Sequence, residues 1–159
     1  MKESSDYPGF RIRNATTDDS AVLVEMVERI ARLYPAGYNQ GWLGSADGFA
    51  YVTYHIEKGW VAVAEQNNVL IGHCAWSVKQ GLPYQAYVRY AELQTLFVGP
   101  EVRGQGVAEA LLHAFNGFCS AAALSVQIVH AVPDPKALAM FEKIGFREER
   151  RLMVRIAND

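Results

Sequence analysis

The sequence contains little of what marks several large classes of protein. Only two of its 159 residues are cysteines, Cys74 and Cys119, which lie far apart and without partners at metal-binding spacing. No apolar run approaches the roughly 20 residues of a membrane-spanning helix, and the first residues, MKESSDYPGF, lack the apolar segment of a secretion signal. We therefore expect a cytoplasmic protein without a structural disulfide, a metal site or a membrane contact.

An excess of either charge is also missing. The chain has 15 Lys and Arg residues against 17 Asp and Glu residues, a net charge of −2, so it lacks the basic surplus of a nucleic-acid-binding protein. Hydrophobic residues make up 50% and charged residues 20% of the chain, which is typical of a globular fold. We expect one domain over residues 1–159, long enough to bury a core.

Hydrophobic periodicity predicts alternating strands and helices. The predicted strands cover residues 10–13, 60–66, 69–78, 89–98, 124–132 and 148–156. The predicted helices cover residues 17–33, 46–58 and 104–120, and a fourth begins at Pro135 behind an Asp134 cap and ends at Gly145. Asn67-Asn68 predicts a hairpin turn. This order predicts a mixed sheet with helices on its faces, an α/β (mixed α+β) fold.

The stretch VGPEVRGQGVAE, residues 98–109, leaves a strand and enters a helix through two glycines. A dinucleotide fingerprint would need a third glycine where Glu109 stands, and a P-loop would need a following Lys-Ser or Lys-Thr. Two interpretations remain, a tight turn or an anion site. In the second, the N–H groups at the helix start and the Arg103 guanidinium bind phosphate oxygens, and Gly104 and Gly106 let the phosphate approach the backbone.

Residues Arg103–Ala108 resemble the R/Q-x-x-G-x-G/A signature of the GNAT superfamily of acyl-CoA-dependent N-acyltransferases. Three longer segments are similar to family segments in the same order: FRIRNATTDD, LFVGPEVRGQGVAEALL and DPKALAMFEKIGF. The resemblance implies a central mixed, mostly antiparallel sheet of six to seven strands with about four flanking helices. Within it, the strands at 89–98 and 124–132 splay apart, and the pantetheine arm of acetyl-CoA lies between them like an added strand.

The resemblance also implies which residues bind acetyl-CoA. It assigns the pantetheine contacts to the backbone of Leu96, Phe97 and Val98. It assigns the pyrophosphate to the loop residues Arg103, Gly104, Gln105, Gly106, Val107 and Ala108. The motif after the 124–132 strand adds Asp134 and Phe141, where the family usually has Asn and Tyr.

Attack on a thioester requires a neutral amine, so a base must remove the proton of an ammonium group with a pKa near ~10.4. Glu92 resembles the general-base glutamate of the histone acetyltransferase branch, and we expect apolar neighbours to raise its pKa toward neutrality. The alternative is an exposed carboxylate or a partner for Arg89 or Arg13. The backbone N–H of Leu96 is the implied oxyanion donor.

The usual tyrosine acid of the family is missing, because Phe141 has no proton to give. Tyr84 is a candidate replacement. Aromatic residues also crowd the segments that wall the acceptor pocket in this family: Tyr38, Trp42, Tyr51, Tyr54, Tyr84, Tyr87 and Tyr90.

The histidines do not suggest a metal site. His73 and Cys74 are neighbours on a strand and so lie on opposite faces. His55 and His113 are expected on helix surfaces. His130 either touches the acceptor or is a core residue.

The sequence therefore predicts an enzyme that transfers acetyl from acetyl-CoA to a primary amine of a small molecule or peptide by direct attack in a ternary complex. Two alternatives stay open: a catalytically degenerate acyl-CoA-binding sensor or module, and a protein lysine or N-terminal acetyltransferase. Dimers are frequent in the family, so a homodimer is possible, but no feature of the sequence selects one.

Overall fold

The computed structural model describes residues 4–33, 39, 41–42, 44–131 and 134–149. Its strands are β1 Ser4–Tyr7, β2 Phe10–Asn14, β3 Val61–Gln66, β4 Val69–Gln80, β5 Arg89–Val98 and β6 Gln127–Val129. Its helices are α1 Ser20–Leu33, α2 Ala46–Glu57, α3 Val107–Ala121 and α4 Pro135–Lys143. The predicted strand at 148–156 lies almost wholly outside the described residues.

The six strands form one sheet in the order β1-β2-β3-β4-β5-β6. Every neighbouring pair is antiparallel except β5 and β6, which are parallel. This topology, with four helices, confirms the predicted mixed and mostly antiparallel sheet. Strand β1 was not predicted, because its sequence SSDY is polar and has no apolar alternation.

Local sequence signals account for several element ends. Asn67 and Asn68 adopt φ values of 51° and 61° in the turn between β3 and β4, which asparagine tolerates better than most residues. The Asp134 side chain accepts a hydrogen bond from the backbone N–H of Lys136 at 3.2 Å, and Pro135 follows as the first residue of α4. Both the hairpin and the cap were predicted.

The core lies on both faces of the sheet. On one face, α3 buries Leu111, Leu112 and Phe115 against Cys74 and Trp76 of β4. On the other face, α1 and α2 bury a second cluster against β3, formed by Leu23, Ala31, Val52, Ile56, Val61 and Val63. The sheet is therefore covered by α3 on one side and by α1 and α2 on the other.

A β-bulge in β5 divides the strand into two parts. Ala75 of β4 pairs with Thr95, but its neighbour Trp76 pairs with Leu93, so Gln94 has no partner in the register. Before the bulge, β5 pairs with β6 over Ala91–Leu93. After it, β5 continues to Val98, whereas β6 ends at Val129. The two strands pair at their beginnings and then separate, which confirms the predicted splay.

Candidate active site

The gap between β5 and β6 exposes backbone groups of β5. Gly99 donates its N–H to Ile71 O of the β4 side at 2.8 Å, and backbone groups of an antiparallel strand alternate in direction. The N–H and C=O of Leu96 and Val98 therefore point away from β4 and into the gap. The Val98 carbonyl accepts a hydrogen bond from Arg103 Nε at 3.2 Å. An extended ligand in the gap can bond to β5 as an added strand would.

The loop of residues 103–106 connects this strand end to α3. Gly104 and Gly106 have φ values of +79° and +82°, and Gly106 directly precedes the first helical residue, Val107. A Cβ at either glycine would meet no atom within 4 Å. The glycines are therefore required by the left-handed backbone, and the space beside them is open. The 15-residue helix α3 points its N-terminal N–H groups into that space.

The helix begins three residues later than predicted. Periodicity placed its start at Gly104, but Gly104 and Gly106 have positive φ and cannot continue a right-handed helix. Arg103–Gly106 are exposed, whereas Val107 is buried. The predicted pyrophosphate residues thus divide into an exposed loop and the first turn of α3.

Glu92 lies before the bulge, on the face of the sheet that α1 and α2 cover. Its Oε1 accepts hydrogen bonds from Lys79 Nζ at 2.7 Å and from Gln94 Nε2 at 2.9 Å. His130 Nε2 lies 3.9 Å from Oε2. The partner of Glu92 is therefore Lys79 of the neighbouring strand and not Arg89 or Arg13, which the sequence had suggested.

The expected rise in the pKa of Glu92 is wrong. Burial raises the pKa of this carboxyl, but the hydrogen bonds from Lys79 and Gln94 together with the Lys79 charge outweigh it, and the net pKa is below the ordinary value. The apolar neighbours Leu93 and Leu96 pack into the core on the α3 face, so they do not surround the carboxyl. Glu92 is ionised at neutral pH.

A cavity of about 370 Å³ lies between the sheet and the helices α1 and α2. Gln94 and Thr95 of the bulge form part of its wall, so it reaches the point where β5 and β6 separate. Its other described lining residues are Leu23, Val27, Asn39, Trp42, Tyr51, Val52, His55, Val61, His73 and Ala75.

Two buried histidines, His55 and His73, line this cavity, and the sequence did not predict either of them there. His55 was expected on a helix surface, but it is buried and bonds to Tyr51 O at 2.9 Å and Ser77 Oγ at 3.0 Å. His73 Nε2 bonds to Thr95 Oγ1 at 2.9 Å. Burial lowers the pKa of His55, and it lowers the pKa of His73 to about 4.

Some predicted residues are not gathered at the cavity. Tyr54 is half exposed; its ring meets the Trp60 ring edge to face, and the Lys58 ammonium group lies 5.4 Å from its centroid. Tyr84 is 83% exposed in the loop before β5, which disfavours it as a replacement acid. Phe141 is buried in the core against Phe146. Tyr38 lies outside the described residues.

Within the described ranges, no cluster of three His, Cys, Asp or Glu side chains has the arrangement of a metal site. Among the same residues, no helix has the length and apolar character needed to cross a membrane. Cys74 and Cys119 are both free and buried.

Comparison with protein families gives one match. The model described as the acetyltransferase (GNAT) family matches residues 23–146, which include the bulge, the glycine loop and α4. A search of curated proteins finds no significant match.

Several solved structures have a similar fold. A predicted acetyltransferase from Clostridium acetobutylicum, solved with acetyl-CoA, is 18% identical with a TM-score of 0.74, over 92% of this chain and 96% of that one. A GCN5-related N-acetyltransferase from Ralstonia eutropha JMP134 is 16% identical with a TM-score of 0.76, over 94% and 100%. An aminoglycoside acetyltransferase from an uncultured soil metagenomic sample, in complex with trehalose, is 16% identical with a TM-score of 0.72, over 96% and 98%.

Proposed function

The chain belongs to the acetyltransferase (GNAT) family, and from this premise we propose that it moves an acetyl group from acetyl-CoA to the primary amine of a small molecule by direct attack in a ternary complex. The observation that carries the proposal is the separation of β5 and β6 next to the glycine loop. Backbone groups of Leu96 and Val98 point away from β4 into the gap, the Val98 carbonyl there being bonded to Arg103 Nε, and the N-terminus of α3 lies at the end of the gap.

These two features suit the two ends of the acetyl-CoA arm. The pantetheine amides bond to the backbone of β5 along the gap. The pyrophosphate binds the N–H groups at the start of α3 and the Arg103 guanidinium. The similar structure from Clostridium acetobutylicum contains acetyl-CoA, which supports the same donor here.

In the proposed reaction the amine nitrogen attacks the thioester carbonyl carbon, and the Leu96 N–H stabilises the resulting oxyanion. The carbon–sulfur bond then breaks and the electron pair leaves with the CoA thiolate. The ammonium form of the acceptor binds at the Glu92 carboxylate, which accepts its proton directly or through water. Phe141 supplies no acid, so the thiolate takes its proton from solvent.

The cavity supports a small-molecule acceptor over a protein lysine. It is walled by Trp42 and Tyr51 and closed below by the sheet at His73 and Ala75. A polypeptide substrate needs a groove that continues past the reacting amine on both sides. An aminoglycoside acetyltransferase in complex with sisomicin and a protein in complex with a CoA bisubstrate analogue are among the proteins of similar fold, which supports a small-molecule acceptor here.

Calorimetric titration with acetyl-CoA and with CoA tests the donor site. We expect micromolar binding, and we expect Arg103→Ala to weaken it about 10- to 100-fold, the value of one charge-assisted hydrogen bond. Gly106→Trp should weaken it at least as much, since the side chain fills the open space beside the loop.

Two variants serve as matched controls. Arg32→Ala removes an exposed guanidinium from α1, where it pairs with Glu28 at 3.7 Å. Gly59→Trp places the same bulk at another positive φ, +69°, away from the loop. Both should bind acetyl-CoA as the unaltered protein does. Failure of the unaltered protein to bind acetyl-CoA would mean that residues 98–109 form only a turn.

A further inference from the structure

We propose that the acceptor is a monoamine carried on an apolar body, aromatic or aliphatic, and that the cavity rejects polyamines and aminoglycosides. This inference rests on the proposed function, because it names the substrate class of the same site. It follows from the composition of the cavity wall, from the charge state of its polar groups and from the single carboxylate, that of Glu92, which is hydrogen-bonded to the wall residue Gln94.

The wall of the cavity is mostly apolar. Leu23 and Val27 of α1 and Val52 of α2 face Val61 and Ala75 of the sheet. The Trp42 and Tyr51 rings meet edge to face with their centroids 5.5 Å apart. Such a wall gains free energy by covering the apolar part of a ligand.

The polar groups in the wall carry no charge at neutral pH. The Tyr51 carbonyl can only accept, so His55 Nδ1 holds a hydrogen and donates it, and the second ring nitrogen accepts from Ser77 Oγ. His73 is only 1% exposed and bonds to the neutral hydroxyl of Thr95. Burial lowers the pKa of both imidazoles. The other polar side chains of the described wall are also neutral: the amides of Asn39 and Gln94, the Tyr51 hydroxyl and the Trp42 indole N–H.

None of the described residues that line the cavity is Asp, Glu, Lys or Arg. Glu92 is not among the lining residues, but its Oε1 accepts a hydrogen bond from Nε2 of Gln94, which is. One ammonium group can therefore compete with Lys79 for this carboxylate, beside the part of β5 where the proposed function places the thioester.

A second ammonium group on the acceptor would face described lining residues that carry no opposite charge. Loss of its hydration without compensation is far more costly than the transfer of a methyl group, which the same wall favours. Hexylamine and 1,5-diaminopentane isolate this difference, because they have equal chain lengths and differ only in a distal methyl or ammonium group. We expect the ratio of kcat/KM to favour hexylamine at least about 100-fold.

The experiment measures CoA release with hexylamine, 2-phenylethylamine, 1,5-diaminopentane and kanamycin. Val27→Glu, at a half-buried position of α1, places a carboxylate in the wall, and Val27→Leu is its matched control. The unaltered protein and Val27→Leu should prefer the two monoamines. Val27→Glu should reduce the preference for hexylamine over 1,5-diaminopentane by about 10-fold or more. Turnover of the diamine or of kanamycin at the hexylamine rate would overturn the proposal.

Binding is read separately from turnover through the fluorescence of Trp42 in the wall, with Trp42→Phe as the signal control. Saturable quenching by hexylamine but not by 1,5-diaminopentane supports the cavity assignment. If acetyl-CoA fails to bind while hexylamine still quenches, the proposed function fails and the apolar cavity stands. If acetyl-CoA binds but neither monoamine quenches or reacts, the acceptor class is wrong and the donor site stands.

Discussion

The protonation state of Glu92 depends on its contacts with neighbouring side chains and could not be predicted from its position in the sequence motif. Lys79 and Gln94 hold its carboxyl group ionised although only 14% of its side chain is exposed. An ionised carboxylate attracts an ammonium acceptor and is ready to take a proton, but its lowered pKa makes it a weak base. The acceptor must therefore compete with Lys79 for Oε1, and the proton has to pass onward to water.

We expect Glu92→Gln to lower kcat/KM about 10²- to 10⁴-fold, the usual contribution of a positioned base. The amide keeps the shape and the hydrogen bond with Gln94 but loses the charge and the proton acceptor. Acetyl-CoA affinity should not change, because the backbone of β5 and the glycine loop are untouched. Steady-state kinetics and calorimetry on the same preparation provide both numbers.

The control for this substitution is Glu25→Gln, an exposed carboxylate on α1 that should leave both quantities unchanged. A fully active Glu92→Gln enzyme would show that Glu92 is not the base and that the Lys79 pair is only structural.

At the scale of elements, a network of ions joins β2, β3 and the start of α1. Arg13 bonds Asp19 through both terminal nitrogens, at 2.7 and 3.0 Å, and Glu65 through Nε at 2.8 Å. Asp19 also accepts the Thr16 N–H at 2.8 Å, and Glu65 accepts from Arg11. The network holds the turn that carries the chain from the end of β2 to α1, the helix that forms part of the cavity wall.

Arg13→Met should destabilise the protein by about 3 kcal/mol, the lower end of what removal of one partner of a buried ion pair costs. Two largely buried carboxylates lose their main cation, although Arg11 and Thr16 still compensate in part. Urea unfolding should show a lower midpoint with an unchanged slope.

Arg32→Met is the matched variant, since its pair with Glu28 is solvent-exposed, and it should change stability by less than about 1 kcal/mol. Equal effects of the two substitutions would mean that the Arg13 network does not stabilise the fold.

Hydrophobic periodicity predicts some strand and helix boundaries of this chain and not others. The strand 89–98 and the helix from Pro135 were predicted with their observed starts, because apolar alternation and a proline at the first turn are local signals. The strand predicted at 124–132 shortens to Gln127–Val129, because its length depends on where β5 stops running beside it. The bulge at Gln94 and the burial of His55 arise from contacts between different strands and helices. The sequence of a single strand or helix therefore does not predict them.

At the scale of the whole molecule, stability should fall in two stages as the solution is acidified. His55 and His73 have folded pKa values below their unfolded value of about 6.5. Below pH ~6.5 the unfolded chain therefore binds more protons than the folded chain does, and the free energy of unfolding falls as the pH falls. For His73 this continues down to about pH 4. Asp19 and Glu65 also have lowered folded pKa values, so they add a second loss below their unfolded values of about 4.

Urea titrations at pH 8, 6, 5 and 4 measure this dependence as the free energy of unfolding. His73→Asn should flatten the decline between pH ~6.5 and 4, and Arg13→Met should flatten the part below pH ~4.5. A stability that is constant from pH 8 to 5 in the unaltered protein would contradict the buried, neutral state of His73.

The two thiols of the chain have a practical consequence. Cys74 and Cys119 are both fully covered on the α3 face of the sheet. Burial raises the pKa of Cys74 far above its ordinary value and that of Cys119 to about 11, so almost no thiolate, the reactive form, exists at neutral pH. The folded protein therefore reacts very slowly with disulfide reagents such as Ellman's compound. Any colour that develops during turnover comes from the thiol of the released coenzyme.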